Sequence, residues 1–428
     1  MYSLVKLFML TVILILLNGC MGSEPSVKKG YEKVFKDEDI YILNALHCEQ
    51  LRDYNRSSIL FNTLYEKSDK KEYLYRSLKN DLAANENERA VERVDALSGK
   101  VKDDAELDRI KIFALIKQDK LMLAKDLAIK LVDKTNNVDD YLLVSEIYVK
   151  LKKFDTAVKY LESAYIKDYN EKILEKMAIV LYVNLQRKTD AIAQLETHSR
   201  VYGCSKFICS KLIGFYSNEN NIDGLLSTYL RLYKIDSSKV IAKKIVQIYG
   251  YKKNYRKMVD FLEESRTDNE LLLQLYIQFK DYKKAAPIAQ ELYEDIGDVA
   301  FLGQSAIFEY ESSADKNSKL MQKSVIAKLE EVISIKRDAL SLNYLGYLLV
   351  DHEIDIKKGI EYIKEALKLE PNSIYYLDSL AWGYYKLGEC DKAKKIVDRV
   401  VNMEGSSNKE VVKHIKMIKK CIKGKKVK

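Results

Sequence analysis

The chain is 428 residues long, with hydrophobic residues at 47%, charged residues at 32% and only three prolines. That composition suits a helical protein and leaves no alternating strand pattern of useful length. Its net charge of +9 is not spread along the body. Residues 408–428 hold nine lysines and one glutamate, and with Lys6 they account for the whole excess. A nucleic-acid-binding array would carry its excess along a groove, which argues against that role.

The N-terminus comes first in chain order. Lys6 precedes an apolar run from Leu7 to Leu17, which has the length of a signal-peptide core and is short for a bilayer span. Leu17-Asn18-Gly19-Cys20 resembles the bacterial lipobox, where cleavage exposes a cysteine that then carries lipid. This resemblance implies a signal peptide over residues 1–19 and lipidation at Cys20. Palmitate-class acyl chains contribute about 0.8 kcal/mol per buried methylene, enough for a permanent tether. Met21 stands where Gram-negative sorting rules place Asp for inner-membrane retention, which implies the outer membrane, periplasmic side. Residues 20–37 read as a flexible tether.

From there a residue of limited size recurs at Ser57, Ala90, Ala124, Ala157, Ala191, Gly224, Met258, Ala285, Val325, Gly359 and Ala393. The spacing is 33 or 34 residues except between Met258 and Ala285 (27) and between Ala285 and Val325 (40). A period that holds two helices and two turns predicts a stacked helical array over residues 38–407. Apolar residues within each half fall three or four apart, as in Leu342, Leu345 and Leu349, or Val397 and Val400. Gly388 and Pro371 mark helix ends, while Gly346 and Ala381 provide small surfaces at helix crossings. The long gap contains the polar stretch Glu309 to Lys323, read as an enlarged loop or hinge, and Pro287 is placed early in a helix.

The units around Leu345-Gly346 with Ala366 and Pro371, around Trp382-Gly383-Tyr384 through Ala393, and around Tyr148, Phe154, Ala157 and Ala164 resemble the tetratricopeptide (TPR) repeat. The resemblance implies an all-α α-solenoid of about eleven TPR-like helix pairs, wound as a right-handed superhelix. It further implies that the first helix of each pair lines a concave surface for protein or peptide partners. In this register Asn343, Tyr347, Asp378, Trp382 and Tyr385 would stand on that surface and Tyr375 at its lip. Trp382 and Tyr347 suit core packing as well as groove. The Lys-and-Asn clamp by which some TPR proteins grip a C-terminal carboxylate is missing from the sequence pattern.

The same C-terminal block is similar to that of proteobacterial TPR lipoproteins, some of which are adaptors of periplasmic C-terminal-processing proteases and their substrates. A protein-binding scaffold is therefore expected, with outer-membrane assembly, pilus or polysaccharide export machinery as the alternative.

Residues 408–428 form the last element. Val411, Ile415, Ile418 and Ile422 share a helical face that would cap the final repeat, with lysines outward. Those lysines serve either solubility or contact with anionic headgroups or an acidic partner. Of the cysteines, Cys204 with Cys209 and Cys390 with Cys421 are the candidate disulfides, and Cys48 is expected as a buried small side chain.

Catalytic motifs are missing from the sequence: no phosphate-binding glycine loop, serine elbow or paired-histidine zinc pattern occurs. His47, His198, His352 and His414 lie in different units and are not expected to converge. Asp103-Asp104 and Asp139-Asp140 are read as solvated turn residues. The expectation is a non-enzyme that needs no metal or cofactor.

Overall fold

A computed structural model describes residues 33–97, 101, 103–401, 403 and 407–425. The signal segment, Cys20 and most of the tether lie outside the described residues. The chain divides into two compact units, residues up to Gly224 and residues from Leu225 onward.

The first unit contains α1 (Glu38–Gln50), α2 (Tyr54–Ser68), α3 (Lys71–Ala83), α4 (Asn87–Leu97), α5 (Ala105–Lys117), α6 (Leu121–Thr135), α7 (Val138–Lys150), α8 (Phe154–Asp168), α9 (Glu171–Ile179), α10 (Lys188–Tyr202) and α11 (Lys206–Asn218). The division between units falls within α12 (Ile222–Tyr233). The second continues with α13 (Lys239–Tyr251), α14 (Tyr255–Ser265), α15 (Asn269–Phe279), α16 (Tyr282–Ile296), α17 (Val299–Ser312), α18 (Lys319–Ile335), α19 (Ala339–Asp351), α20 (Ile356–Leu369), α21 (Ile374–Lys386), α22 (Cys390–Val400) and α23 (Lys409–Lys425). The described residues thus form helices throughout, in successive antiparallel pairs with α23 left over as a cap.

The periodic small residues explain the pairing. Ser57, Ala90, Ala124, Ala157, Ala191, Met258, Ala285, Gly359 and Ala393 each occupy the fourth position of the second helix of a pair. Ala90, Ala124, Ala157, Ala191, Ala285 and Ala393 are 0% exposed. A small side chain there lets two helices approach closely, and Gly346 and Gly359 bring two backbones together. A Cβ on Gly346 would lie 2.7 Å from the Gly359 carbonyl oxygen, and one on Gly359 would lie 2.6 Å from that of Gly346.

A second periodicity lies in the turns within pairs. Arg52, Asn85, Asp119, Lys152, Gln186, Asn220, Lys253, Lys280, Glu353 and Gly388 all have positive φ. The following amide closes back across the helix end, as when Lys153 N–H donates to the Tyr148 carbonyl (2.9 Å) and Glu389 N–H to that of Tyr384 (2.9 Å). These bonds satisfy carbonyls that a helix end would otherwise leave open. Gly388, Asn85, Asp119 and Asn220 are residue types that favour this conformation, whereas Arg52, Lys152, Gln186, Lys253, Lys280 and Glu353 give no sign of it in sequence.

Polar bonds between neighbouring pairs recur at about one repeat of separation. Tyr73 Oη donates to Glu38 (2.7 Å), Lys71 Nζ to Asp104 (2.9 Å) and Arg109 to Asp140 through two bonds (2.7 and 2.8 Å). Such bonds hold these pairs of the first unit against their sequence successors. They also correct the reading of Asp104 and Asp140, whereas Asp103 and Asp139 are exposed as expected. Asp140 is 1% exposed and sits inside α7, held by Arg109 and Thr135, while Asp104 caps α5 and takes Lys71 and Tyr75. Stacking covers these turns with the preceding pair, which periodicity within one repeat does not reveal.

Two further expectations are adjusted. The connection between α17 and α18 is confined to Ser313–Ser318, and the flanking parts of the stretch from Glu309 to Lys323 are helical. Pro287 lies inside α16 rather than in its first turn, so one intrahelical bond is forgone.

In the second unit α23 packs along α21 and α22. Val411 and Ile418 are buried and Ile415 is partly buried against Val397, Val400 and Ala393. The stripe therefore closes the end of the repeat core. None of the helices among the described residues is long and apolar enough to cross a membrane.

Candidate functional site

In the second unit a cavity of about 770 Å³ opens between α17, α19, α21 and the start of α23. Helical spacing builds its floor, because Asn343, Tyr347 and Asp351 follow one another every fourth residue along one face of α19. From α21 come Tyr375, Tyr376, Asp378 and Ser379, and from α17 come Tyr310 and Glu311. The Ser313–Ser318 connection contributes Lys316 and Asn317, and the approach to α23 contributes Asn408, Glu410 and Val411.

Of the sequence-selected residues, Asn343, Tyr347, Tyr375 and Asp378 line this cavity. Tyr375 is 56% exposed and forms the rim. Trp382 and Tyr385 do not line it. Trp382 is 4% exposed, with His414 stacked on one side (centroids 4.0 Å apart) and Tyr385 near by (4.8 Å). Its indole N–H donates to Asp351 Oδ1 (2.8 Å). The reason is α23, whose His414 lies against the indole ring and covers the tryptophan.

The polar atoms of the site fall into two groups. The first are committed to one another. Tyr347 Oη donates to Glu410 and Tyr344 Oη to Glu311. His414 Nδ1 and Asp378 Oδ2 are 2.8 Å apart, and Tyr310 Oη lies 3.1 Å from His352 Nε2. Lys316 Nζ donates to the Tyr310 carbonyl and lies 4.3 Å from the centroid of the Tyr310 ring. The second group consists of Asn343 Oδ1 and Asp378 Oδ1, both buried and without a hydrogen-bond donor. Such acceptors call for a water or a ligand group to complete the set; Asn87, Asn269 and Gln304 keep similar oxygens elsewhere, but only these two residues line the cavity.

Burial, reinforced by nearby carboxylates, raises the phenol pKa values of Tyr310, Tyr344 and Tyr347 well above the ordinary range. Burial pushes Tyr376 up to about 12 and lowers both Lys316 and His352. Both partners of the Tyr310–His352 bond are therefore neutral, and the histidine tautomer sets which of them donates. Fixed phenols, carboxylates and aromatic faces suit recognition. Among the described residues there is no group of three His, Cys, Asp or Glu that could hold a metal ion.

Sequence reasoning missed His352, His414, Lys316 and Glu410. His352 lines the cavity and His414 holds a residue that does, so two histidines assigned to different units converge on one place. The fold-back of α23 brings positions 36 and 63 residues apart into contact. One signal was available: Glu410 is the single acid of the lysine-rich C-terminal stretch. The cysteine pairs also meet, with Cα atoms 5.4 Å apart for Cys204 and Cys209 and 6.0 Å for Cys390 and Cys421. Cys48 is buried and unpaired.

No protein-family model matches the chain, and neither does any curated protein. Solved structures with similar chains include the Cut9–Hcn1 hetero-tetramer of the APC/C (10% identity over 90% of this chain and 97% of that one, TM-score 0.33). Yeast Tom70 gives 15% identity over 91% and 90%, with TM-score 0.33. A thermophilic TPR protein of Thermus thermophilus gives 16% identity over 42% of this chain and 97% of that chain, with TM-score 0.32. The helix pairs themselves carry the assignment: this chain is an all-α solenoid of repeated pairs with a capping helix, and it resembles the TPR fold.

Proposed function

We propose that this protein is a lipid-anchored scaffold on the periplasmic side of the outer membrane, tethered through Cys20, which holds a segment of a partner protein in the cavity of its second unit. One observation carries the reading. Asn343 and Asp378 each keep a buried oxygen without a donor on the wall of an open, tyrosine-rich cavity. Leaving such groups unmet costs about 1–3 kcal/mol each, a cost that a bound peptide would remove. The exposed Tyr375 ring at the rim offers contact area at low rotamer cost. By the lipoprotein resemblance, the partner is a processing protease or one of its substrates. In the same reading Cys390 and Cys421 form a disulfide that fixes α23, and so one wall of the site, in an oxidising compartment.

The test is a photo-crosslinking amino acid at Tyr375, irradiated in the native envelope and followed by mass spectrometry. The same label at Leu320, which is 82% exposed and outside the cavity, serves as control. Capture of a processing protease or its substrate from Tyr375 alone is expected. Identical capture from both positions, or none from Tyr375, removes the reading. Cys20→Ala should abolish palmitate labelling and release the chain from the membrane fraction; retention of both would remove the anchor.

A further inference from the structure

The chemistry of the cavity specifies which part of a partner it takes. We propose that it binds a positively charged side chain, lysine or arginine, of an extended peptide segment; this rests on the scaffold reading above.

Three independent features point to a cation. The first is charge. Glu311, Asp351, Glu370, Asp378 and Glu410 line the cavity against Lys316 as the one ammonium, while His352 is held neutral by burial. The tyrosines that bond Glu410 and Glu311 stay protonated, so they donate hydrogen bonds without cancelling charge.

The second is hydrogen-bond polarity. The two unmet atoms, Asn343 Oδ1 and Asp378 Oδ1, are both acceptors on residues 7% and 5% exposed. A carboxylate ligand has nothing to offer them. An ammonium or guanidinium is a pure donor and matches the polarity of both atoms.

The third is an example from the chain itself. Lys316 lies on the cavity wall with its ammonium over the Tyr310 ring, showing that the tyrosine faces here accept a cation. The polarity is thus the reverse of the carboxylate clamp found in some TPR proteins. A peptide is chosen over a small free cation because the rim extends beyond the acidic floor. Tyr375, Ser373 and Asn317 give backbone-sized polar and aromatic contacts that a lone ammonium would not use.

The test uses the purified full-length chain in detergent and a short blocked peptide, acetyl-Gly-Ser-Arg-Ser-Gly-amide. Its companions carry citrulline, lysine or glutamate in place of arginine, and binding is read by calorimetry and by Trp382 fluorescence. The arginine and lysine peptides should bind at least ten-fold more tightly than the citrulline peptide, and the advantage should shrink with salt. The glutamate peptide should bind least.

Asn343→Leu should lower the affinity of the arginine peptide about ten-fold or more while leaving folding intact, because Asn343 Oδ1 has no donor within the chain. Equal affinity for arginine and citrulline peptides, or preference for glutamate, would overturn the proposal. Free arginine or spermidine binding as tightly as the peptide would overturn its commitment to a peptide. If none of these probes binds, the cation reading falls, and crosslinking from Tyr375 decides separately whether the scaffold reading stands.

Discussion

Replacing Gly346 by alanine tests the close approach of α19 and α20. In an exposed helix, glycine to alanine stabilises by about 1 kcal/mol. Here the added methyl would meet the Gly359 carbonyl oxygen at 2.7 Å and Ile363 Cγ1 also at 2.7 Å. A flexible side-chain end could yield, but a backbone carbonyl moves only if the two helices separate. Overpacking of this kind costs about 1–3 kcal/mol, and with rigid backbone as the obstacle the upper half of that range applies. Subtracting the propensity gain leaves a net destabilisation of about 1–2 kcal/mol. Gly214 supplies the opposite case, because a Cβ there meets nothing within 4 Å, so Gly214→Ala should stabilise by about 1 kcal/mol. Urea unfolding followed by Trp382 fluorescence reads the second unit, and far-UV circular dichroism reads the whole chain. The double variant Gly346→Ala/Gly359→Ala should cost less than the sum of its parts, since one separation relieves both clashes. Stabilisation by Gly346→Ala equal to that of Gly214→Ala would refute the packing argument.

Lys152 is exposed with φ of 58°, so Lys152→Gly should stabilise the chain by about 0.5–1 kcal/mol, seen as a higher urea midpoint by circular dichroism. Asp81 is 0% exposed and accepts from Arg89, Arg93 and Ser58, so Asp81→Asn leaves two guanidiniums without a countercharge. A loss of about 3 kcal/mol is expected in the same assay, and a loss below about 1 kcal/mol would show the cluster to be dispensable. His352 titrates below its ordinary 6.5 because it is buried, so the unfolded chain takes up its proton first on acidification. The stability of the second unit should therefore decline as pH falls below 6.5, and His352→Gln should flatten that decline in unfolding curves taken at about pH 7.5 and about pH 5.5.

The repeat was legible in the sequence because a buried small residue is needed wherever two helices cross, and alanine at a period of 33 or 34 states that need directly. The turns were not, since Lys152, Gln186 and Glu353 adopt a conformation that their side chains do not announce. Half of the site was readable for a similar reason. Asn343, Tyr347 and Asp378 fall on a helical face that local spacing defines. Trp382 was left open between core and groove and Glu410 was overlooked, because both outcomes depend on where α23 lands, and a single amphipathic helix does not encode its docking angle. The carboxylates at Asp104 and Asp140 failed for the complementary reason: their partners, Lys71 and Arg109, belong to the preceding pair.

Because α23 is both the lid of the repeat core and a side of the cavity, seating that helix and filling the cavity are thermodynamically linked. A ligand that engages Asp378 leans on the same carboxylate that grips His414, so occupancy should shield the lysines of α23 from trypsin, and loosening α23 should weaken binding to the same degree. Truncation before Asn408 would then remove one side of the cavity together with the cover of the last pair.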